Sequence, residues 1–261
     1  MAGCSDALNA SAKTPPANTF ANGVVVCEHK IAAKAGADIL KKGGNAVDAA
    51  VAAAFALAVV EPYHSGLGGG EFALVWLPGM GEVEALDARE TAPGASKPDM
   101  FINPETGRPI KDKSWRGGLA VGVPGSVAGR VALIERYGDL TLEKVIAPAR
   151  ELAAKGFKVD RVLADKVEKL RDRIAENESA AQVFLPGGRP VARGELLIQP
   201  ALARTLAVIA RERGRSFYKG EMASAIVSAC RRAGGILTAT DLAAYEPVWR
   251  KPIKFTYRGC D

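Results

Sequence analysis

The segment Asn45–Val60 constrains what this chain can fold into more than any other. From Ala46 to Val60 (AVDAAVAAAFALAVV) it is apolar almost all round, broken by one carboxylate at Asp48. The pattern predicts a helix, with Asn45 as a good N-cap and Asp48 three residues on, near the positive helix end. At about 1.5 Å per residue such a helix is roughly 22 Å long, short of the ~30 Å hydrocarbon core of a bilayer. A helix with no polar face that does not span a membrane must be covered on every side, so it belongs in a protein core. Its alanines would let a sheet pack closely against it. A chain of 261 residues is long enough to supply that cover in one or two domains.

The flanking segments suggest what the cover is. Gly23–Cys27 (GVVVC) is a β-branched run that reads as a buried strand. Lys30–Lys42 reads as a helix, with Ile31, Ala35 and Ile39 on one face and Gly43 as its stop. Glu71–Leu77 and Glu82–Ala88 read as two strands joined through Pro78-Gly79-Met80-Gly81, a hairpin with a turn longer than two residues. Phe72, Leu74 and Trp76 fall on one side of the first strand and Ala73, Val75 and Leu77 on the other. Apolar residues on both faces predict an interior strand. Lys97–Gly118 reads as a loop, rich in Pro, Gly and charge. Helical patterns then cover Ser126–Tyr137, Leu142–Lys155, Asp160–Ala175, Ala201–Arg213 and Glu221–Ala233. Gly138, Gly156, Gly214 and Gly234 act as stops. Pro148 should kink the second helix, and Pro200 suits the first turn of the fourth. Thr238–Asp241 starts another helix leading to Tyr245, and Lys251–Tyr257 (KPIKFTY) reads as a strand.

Composition excludes several function classes. The 35 basic and 29 acidic residues give a net charge of +6, but bases alternate with acids, as in Arg171-Asp172-Arg173. Solvated helix faces explain them, and no basic-aromatic platform for nucleic acid is present. Cys4, Cys27, Cys230 and Cys260 have no C-x-x-C spacing, and only His29 and His64 could add imidazoles. That set argues against a zinc site, and structural roles suit both histidines. Cys27, in an apolar run, reads as a small buried hydrophobe. His64-Ser65 without a Gly-x-Ser-x-Gly segment does not make a serine hydrolase. Gly66-Leu67-Gly68-Gly69-Gly70 lacks the Gly-Lys-Ser/Thr ending of a phosphate loop and precedes a strand, so close packing is its expected role.

Residues 1–22 read as a flexible leader or tether, with Pro15-Pro16 among many Ser, Asn and Ala. Met1-Ala2-Gly3-Cys4-Ser5 resembles the end of a bacterial lipoprotein signal, without the apolar stretch that should come first. Either the native protein begins upstream, or four small residues match by accident. The first reading implies an exported or periplasmic protein lipidated at Cys4.

Three ordered segments carry a resemblance. They are Gly43-Gly44-Asn45-Ala46-Val47-Asp48-Ala49-Ala50, the glycine run Gly66–Gly70, and Asp87-Ala88-Arg89-Glu90-Thr91-Ala92-Pro93. Further matches are Val123–Gly129, Phe217-Tyr218-Lys219-Gly220 and Asp241-Leu242-Ala243-Ala244-Tyr245. From about Gly23 to Gly259 the chain resembles the N-terminal, large-subunit portion of the γ-glutamyltransferases, or glutathione hydrolases. The resemblance implies an α+β fold, a partial N-terminal-nucleophile hydrolase αββα sandwich over residues 23–261. A helical lobe would span about 126–250, and the C-terminal part would be missing. It also implies transfer of the γ-glutamyl group of glutathione-like substrates to water or amino acids, with no cofactor and no metal. The threonine nucleophile would lie on a missing small-subunit polypeptide, past a Pro-Pro-Ser-Ser-Gly-Gly-like segment expected after Tyr257-Arg258-Gly259. No catalytic residue is then expected in this chain, and Thr238 and Thr240 read as helix caps.

The resemblance places one substrate-binding residue here. Arg89 would hold the γ-glutamyl α-carboxylate, a role that suits a planar, permanently charged fork of donors. Glu90 would orient Arg89 or the nearby backbone. Without the resemblance, a plain salt bridge between the two would be the preferred reading. Glu71 departs from the small or apolar residue the family leads one to expect, which puts local packing in question. A cephalosporin or glutaryl acylase of the same superfamily, or a non-catalytic γ-glutamyl-binding remnant, are the alternatives.

Overall fold

The computed structural model describes residue 20 and residues 22–259. The readings on Met1–Ser5, Cys4 and nearly all of the leader lie outside the described residues.

Eleven helices and five short strands follow one another among the described residues. Helices α1 (Lys30–Lys41) and α2 (Ala46–Val60) come first, then strands β1 (Glu71–Val75) and β2 (Glu84–Ala88). After a long loop come α3 (Ser126–Tyr137), α4 (Leu142–Lys155), β3 (Phe157–Lys158), α5 (Arg161–Lys169), α6 (Arg171–Ala175) and α7 (Glu178–Phe184). The chain continues through β4 (Leu196–Leu197), α8 (Pro200–Glu212), α9 (Arg215–Lys219), α10 (Glu221–Arg232), α11 (Ala239–Ala243) and β5 (Val248–Arg250).

The apolar helix α2 is the centre of the core, with Val51, Ala52, Phe55, Ala56 and Val59 inaccessible to solvent or nearly so. Its start is set by a capping box: the Asn45 carboxamide accepts from Val47 N and Asp48 N, and the Asp48 carboxylate accepts from Asn45 N. The same buried carboxylate accepts from Asp139 N (3.0 Å) and Leu140 N (3.3 Å), so it also fixes the turn between α3 and α4. At the other end, Gln199 Nε2 donates to Val59 O at 2.8 Å and ties the start of α8 to the last turn of α2. The alanines of α2 face other helices, chiefly α1 and α4, and not the sheet expected from the sequence. Small side chains permit close approach to any backbone, so the pattern alone does not choose between sheet and helix.

Four further expectations need correction. Gly23–Cys27 joins no β-ladder among the described residues; Val24 and Val26 are exposed, and Val25 and Cys27 are half-buried. A strand forms only when a partner takes its backbone groups, and none of the described segments does so. Strands β1 and β2 make the expected antiparallel hairpin, Glu71 opposite Ala88, but the sheet order β1-β2-β5 leaves β1 at an edge. Its Val75 side is buried, whereas Phe72, Leu74 and Trp76 stand in solvent, Leu74 at 72%. The final strand falls at Val248–Arg250 instead of Lys251–Tyr257. Trp249, opposite Leu86, lies under the Arg136 guanidinium (4.4 Å) and edge-on to Tyr137, and Pro252 then ends the ladder. Lastly, Asp160–Ala175 is two helices, parted where Leu170 leaves helical geometry (φ -102°, ψ 9°); only Leu163 and Val167 of α5 are buried, and α6 buries nothing.

Other elements stand as read. Pro200 opens α8, and Gly156, Gly214 and Gly234 take positive φ just past helix ends, whereas the kink expected at Pro148 brings no break, since α4 runs unbroken through it. Thr238 caps α11 in a box with Asp241, whereas Thr240 lies inside that helix. Among the described residues no helix is long and apolar enough to cross a membrane.

Candidate substrate site

The central strand of the sheet, β2, ends at Ala88, and the next residues are Arg89 and Glu90. Their backbone is held at several points. Arg89 N donates to Asp87 Oδ1 (3.0 Å), and Asp87 Oδ2 accepts from Arg250 Nε of β5 (2.8 Å). Those two donors, the Arg89 amide first, pull the Asp87 carboxyl below the usual carboxylate range. Tyr245 Oη donates to Arg89 O at 2.9 Å. Thr91 and Val123 exchange a pair of backbone bonds, and Gly94 N donates to Asp241 Oδ1 (2.8 Å).

The glycine run closes the floor of this region. Gly69 O accepts from both Gly125 N and Ser126 N (2.9 Å each), which joins it to the start of α3. A side chain at Gly70 would sit 2.7 Å from Glu90 N and 2.8 Å from Ala88 O. One at Gly125 would overlap Ala88 O and the Tyr245 hydroxyl. Close backbone approach is what Gly70 and Gly125 supply; within the run Gly66–Gly70 the expected close packing holds only at Gly70, since Gly68 faces open space and Gly66 nearly so.

The departure at Glu71 has a local explanation. Glu71 Oε2 accepts from Arg130 Nε at 2.9 Å, and Arg130, only 5% exposed, lies over the Phe55 ring at 4.9 Å. An acidic residue on β1 thus neutralises a buried arginine on α3.

Arg89 itself projects outward, its side chain 63% exposed. It meets one carboxylate, with Nη1 3.2 Å from Glu90 Oε2, and Glu90 is only half-buried. That oxygen makes no directed hydrogen bond, so the contact is one of charge. Both the salt-bridge reading and the orienting role for Glu90 fit this geometry. The guanidinium end of the pair is exposed and open to a second carboxylate, and a surface ion pair contributes only ~0–1 kcal/mol, whereas the Glu90 Oε2 that it faces is buried.

The histidines lie elsewhere. His29 Nδ1 accepts from Ile31 N (3.1 Å) and caps α1, and its Nε2 lies 3.7 Å from Asp160. Burial, the largest influence, lowers its pKa. His64 joins Glu28 and Glu61 in the one group of metal-type side chains among the described residues, with ligand atoms within 4.8 Å of one another. Glu61 is buried there, and burial first, then the Glu28 charge, raises its pKa. Glu28 and His64 are exposed, and no fourth ligand joins them. Cys27 and Cys230 are free thiols.

Sequence reasoning isolated Arg89 and Glu90 but missed the groups that hold them. Nothing in the local pattern ties Tyr245 or Arg250 to a strand more than 150 residues earlier. The only signal was that Asp241–Tyr245 stood out as a motif.

Comparisons with known proteins identify the family. The family model for gamma-glutamyltranspeptidase matches residues 32–261. The glutathione hydrolase proenzyme of Escherichia coli (strain K12) is 42% identical over 91% of this chain and 41% of its own length. The crystal structure of Helicobacter pylori gamma-glutamyltranspeptidase superposes with a TM-score of 0.89 at 39% identity, over 94% of this chain and 70% of that one. A cephalosporin acylase from Bacillus halodurans superposes at 0.77 with 36% identity, over 95% of this chain and 48% of that one. This chain therefore spans less than half the length of the curated proenzymes it matches. The mixed helix-and-sheet architecture is that part of the N-terminal-nucleophile hydrolase fold, and the chain belongs to the gamma-glutamyltranspeptidase family.

Proposed function

We propose that this chain forms the large-subunit part of a γ-glutamyltransferase or glutathione hydrolase, and that Arg89 takes the α-carboxylate of the γ-glutamyl group. The observation that carries the reading is an exposed guanidinium on a firmly held strand end, engaged by a single replaceable carboxylate. A substrate carboxylate would take that fork in two parallel hydrogen bonds, which fixes the amino-acid end while the scissile amide lies farther along. Glu90 steadies the guanidinium between substrates.

The chemistry is assigned to polypeptide outside these residues. A threonine with a free α-amino group would attack the amide, and its own amine would take the proton. The solvent-facing Phe72 and Leu74 of β1, with Trp76 just past its end, support a second polypeptide lying against the sheet, since so large an apolar row is costly to leave in water. The lipoprotein-like Met1–Ser5 supports export of the native protein. The likeness to a cephalosporin acylase gives the second reading, and a fork placed for an α-carboxylate favours γ-glutamyl compounds.

Turnover of a γ-glutamyl anilide tests the assignment. The purified 261-residue chain should show none, while calorimetry should detect glutathione binding that Arg89→Ala weakens. Anilide turnover by the pure chain that is lost on Arg89→Ala would overturn the division of labour.

A further inference from the structure

Three side chains that hydrogen-bond the backbone or side chains of the Arg89 strand end come from one stretch far downstream. Asp241 Oδ1 accepts from Gly94 N, Tyr245 Oη donates to Arg89 O, and Arg250 Nε donates to Asp87 Oδ2. Ten residues, from Asp241 in α11 to Arg250 at the end of β5, thus grip residues 87–94 from both sides of Arg89. We propose that this stretch is a clamp that positions Arg89 for its ligand, and that Tyr245 is its positioning residue. The proposal rests on the reading of Arg89 as the carboxylate-binding group.

Tyr245 is suited to the task. Its ring stacks on Tyr218 at 5.8 Å and an interplanar angle of 14°, and Tyr218 is itself fixed by accepting from Ala128 N and donating to Pro124 O. The hydroxyl enters a space kept open by the missing side chain at Gly125. Its hydrogen bond goes to the carbonyl of Arg89 itself, the atom that sets where the Arg89 Cα and side chain leave the strand. Burial, with the nearby Asp87, Glu90 and Glu71 carboxylates, pushes the Tyr245 pKa up to about 12, so the hydroxyl stays a donor at any working pH. A loop residue with an exposed, long side chain would otherwise pay rotamer and backbone entropy each time it closed on a ligand.

The test is a double-mutant cycle on the 261-residue chain, read by calorimetry with L-glutamate as the probe. Tyr245→Phe keeps the stacked ring and removes only the donor. We expect it to weaken glutamate about fivefold, the worth of roughly one hydrogen bond. In an Arg89→Ala background, where glutamate binding is already reduced, Tyr245→Phe should have no further effect. Hydrogen exchange of the 87–94 amides should rise in Tyr245→Phe while that of α2 stays unchanged. If Arg89→Ala leaves glutamate binding as it was, or the unaltered chain binds none, the reading of Arg89 falls and the clamp's purpose with it. If Arg89→Ala weakens binding but Tyr245→Phe does not, the reading stands and the positioning role is refuted. Equal losses from Tyr245→Phe in both backgrounds would also refute it, because Tyr245 would then act independently of Arg89.

Discussion

The Glu71–Arg130 pair is the sharpest place to test the energetics of this fold. Arg130 is 5% exposed and makes its directed hydrogen bond to Glu71 at 2.9 Å, while its Nη1 has no hydrogen-bond partner. Replacing Glu71 by Ala leaves a buried guanidinium without its counter-charge over the Phe55 ring. Breaking a buried pair from one side costs ~3–5 kcal/mol. The Glu71 side chain keeps 21% of its exposure, so water can reach the hole and the low end applies, about 3 kcal/mol. For a chain of this size that is a fall in Tm of about 6–12 °C. Removing both charges is a different perturbation. Glu71→Ala combined with Arg130→Met leaves no buried ion, and hydrophobic replacement of a buried pair is close to neutral. The double variant should therefore recover most of the loss. Urea melts of the wild-type chain, each single variant and the double variant measure this by linear extrapolation. A single-variant loss below about 1 kcal/mol, or a double variant no better than Glu71→Ala, would refute the view that the departure at Glu71 exists to neutralise Arg130.

Gly125→Ala should destabilise the chain by ~2 kcal/mol or more, because its methyl overlaps Ala88 O and the Tyr245 hydroxyl; an unchanged melting temperature would count against this packing. Asp87 is held below the usual carboxylate range, so its stabilising contact is fully present above the unfolded pKa of about 4 and is lost as pH falls through the lower folded value. Asp87→Asn should accordingly flatten the acid limb of stability against pH, measured as the urea midpoint from pH 5 downward. Leu74→Ser, on the solvent-facing row of β1, should change monomer stability by no more than ~0.5 kcal/mol. A large loss of stability would mean that this row is covered within the chain.

The elements that the sequence made legible are those set by neighbours in sequence. α2 was readable because a capping box and an unbroken apolar run are local properties, and its ends match the expectation. The β1–β2 hairpin was readable for the same reason, since alternation and a turn lie within a short stretch. The misread segments each depended on a distant partner. Gly23–Cys27 has strand composition without a strand neighbour, and Val248–Arg250 is a strand because Trp249 and Arg250 meet Leu86 and Asp87. Composition measures how well a side chain suits a pleated surface, whereas pairing is settled by where the rest of the chain lies.

The site divides in the same way. The sequence by itself determined that a fork-shaped cation stands at a strand end beside a carboxylate, because Arg89, Glu90 and the flanking motif are contiguous. Only the tertiary structure decided that the carbonyl of Arg89 is held by Tyr245, that Asp87 is shared between Arg89 and Arg250, and that Glu71 answers Arg130. Hydrogen bonds of 2.8–2.9 Å require atoms to be placed to a fraction of an ångström across separations of 59 to 163 residues. That precision comes from the packed helices and sheet that carry both partners, and no local pattern of side chains contains it.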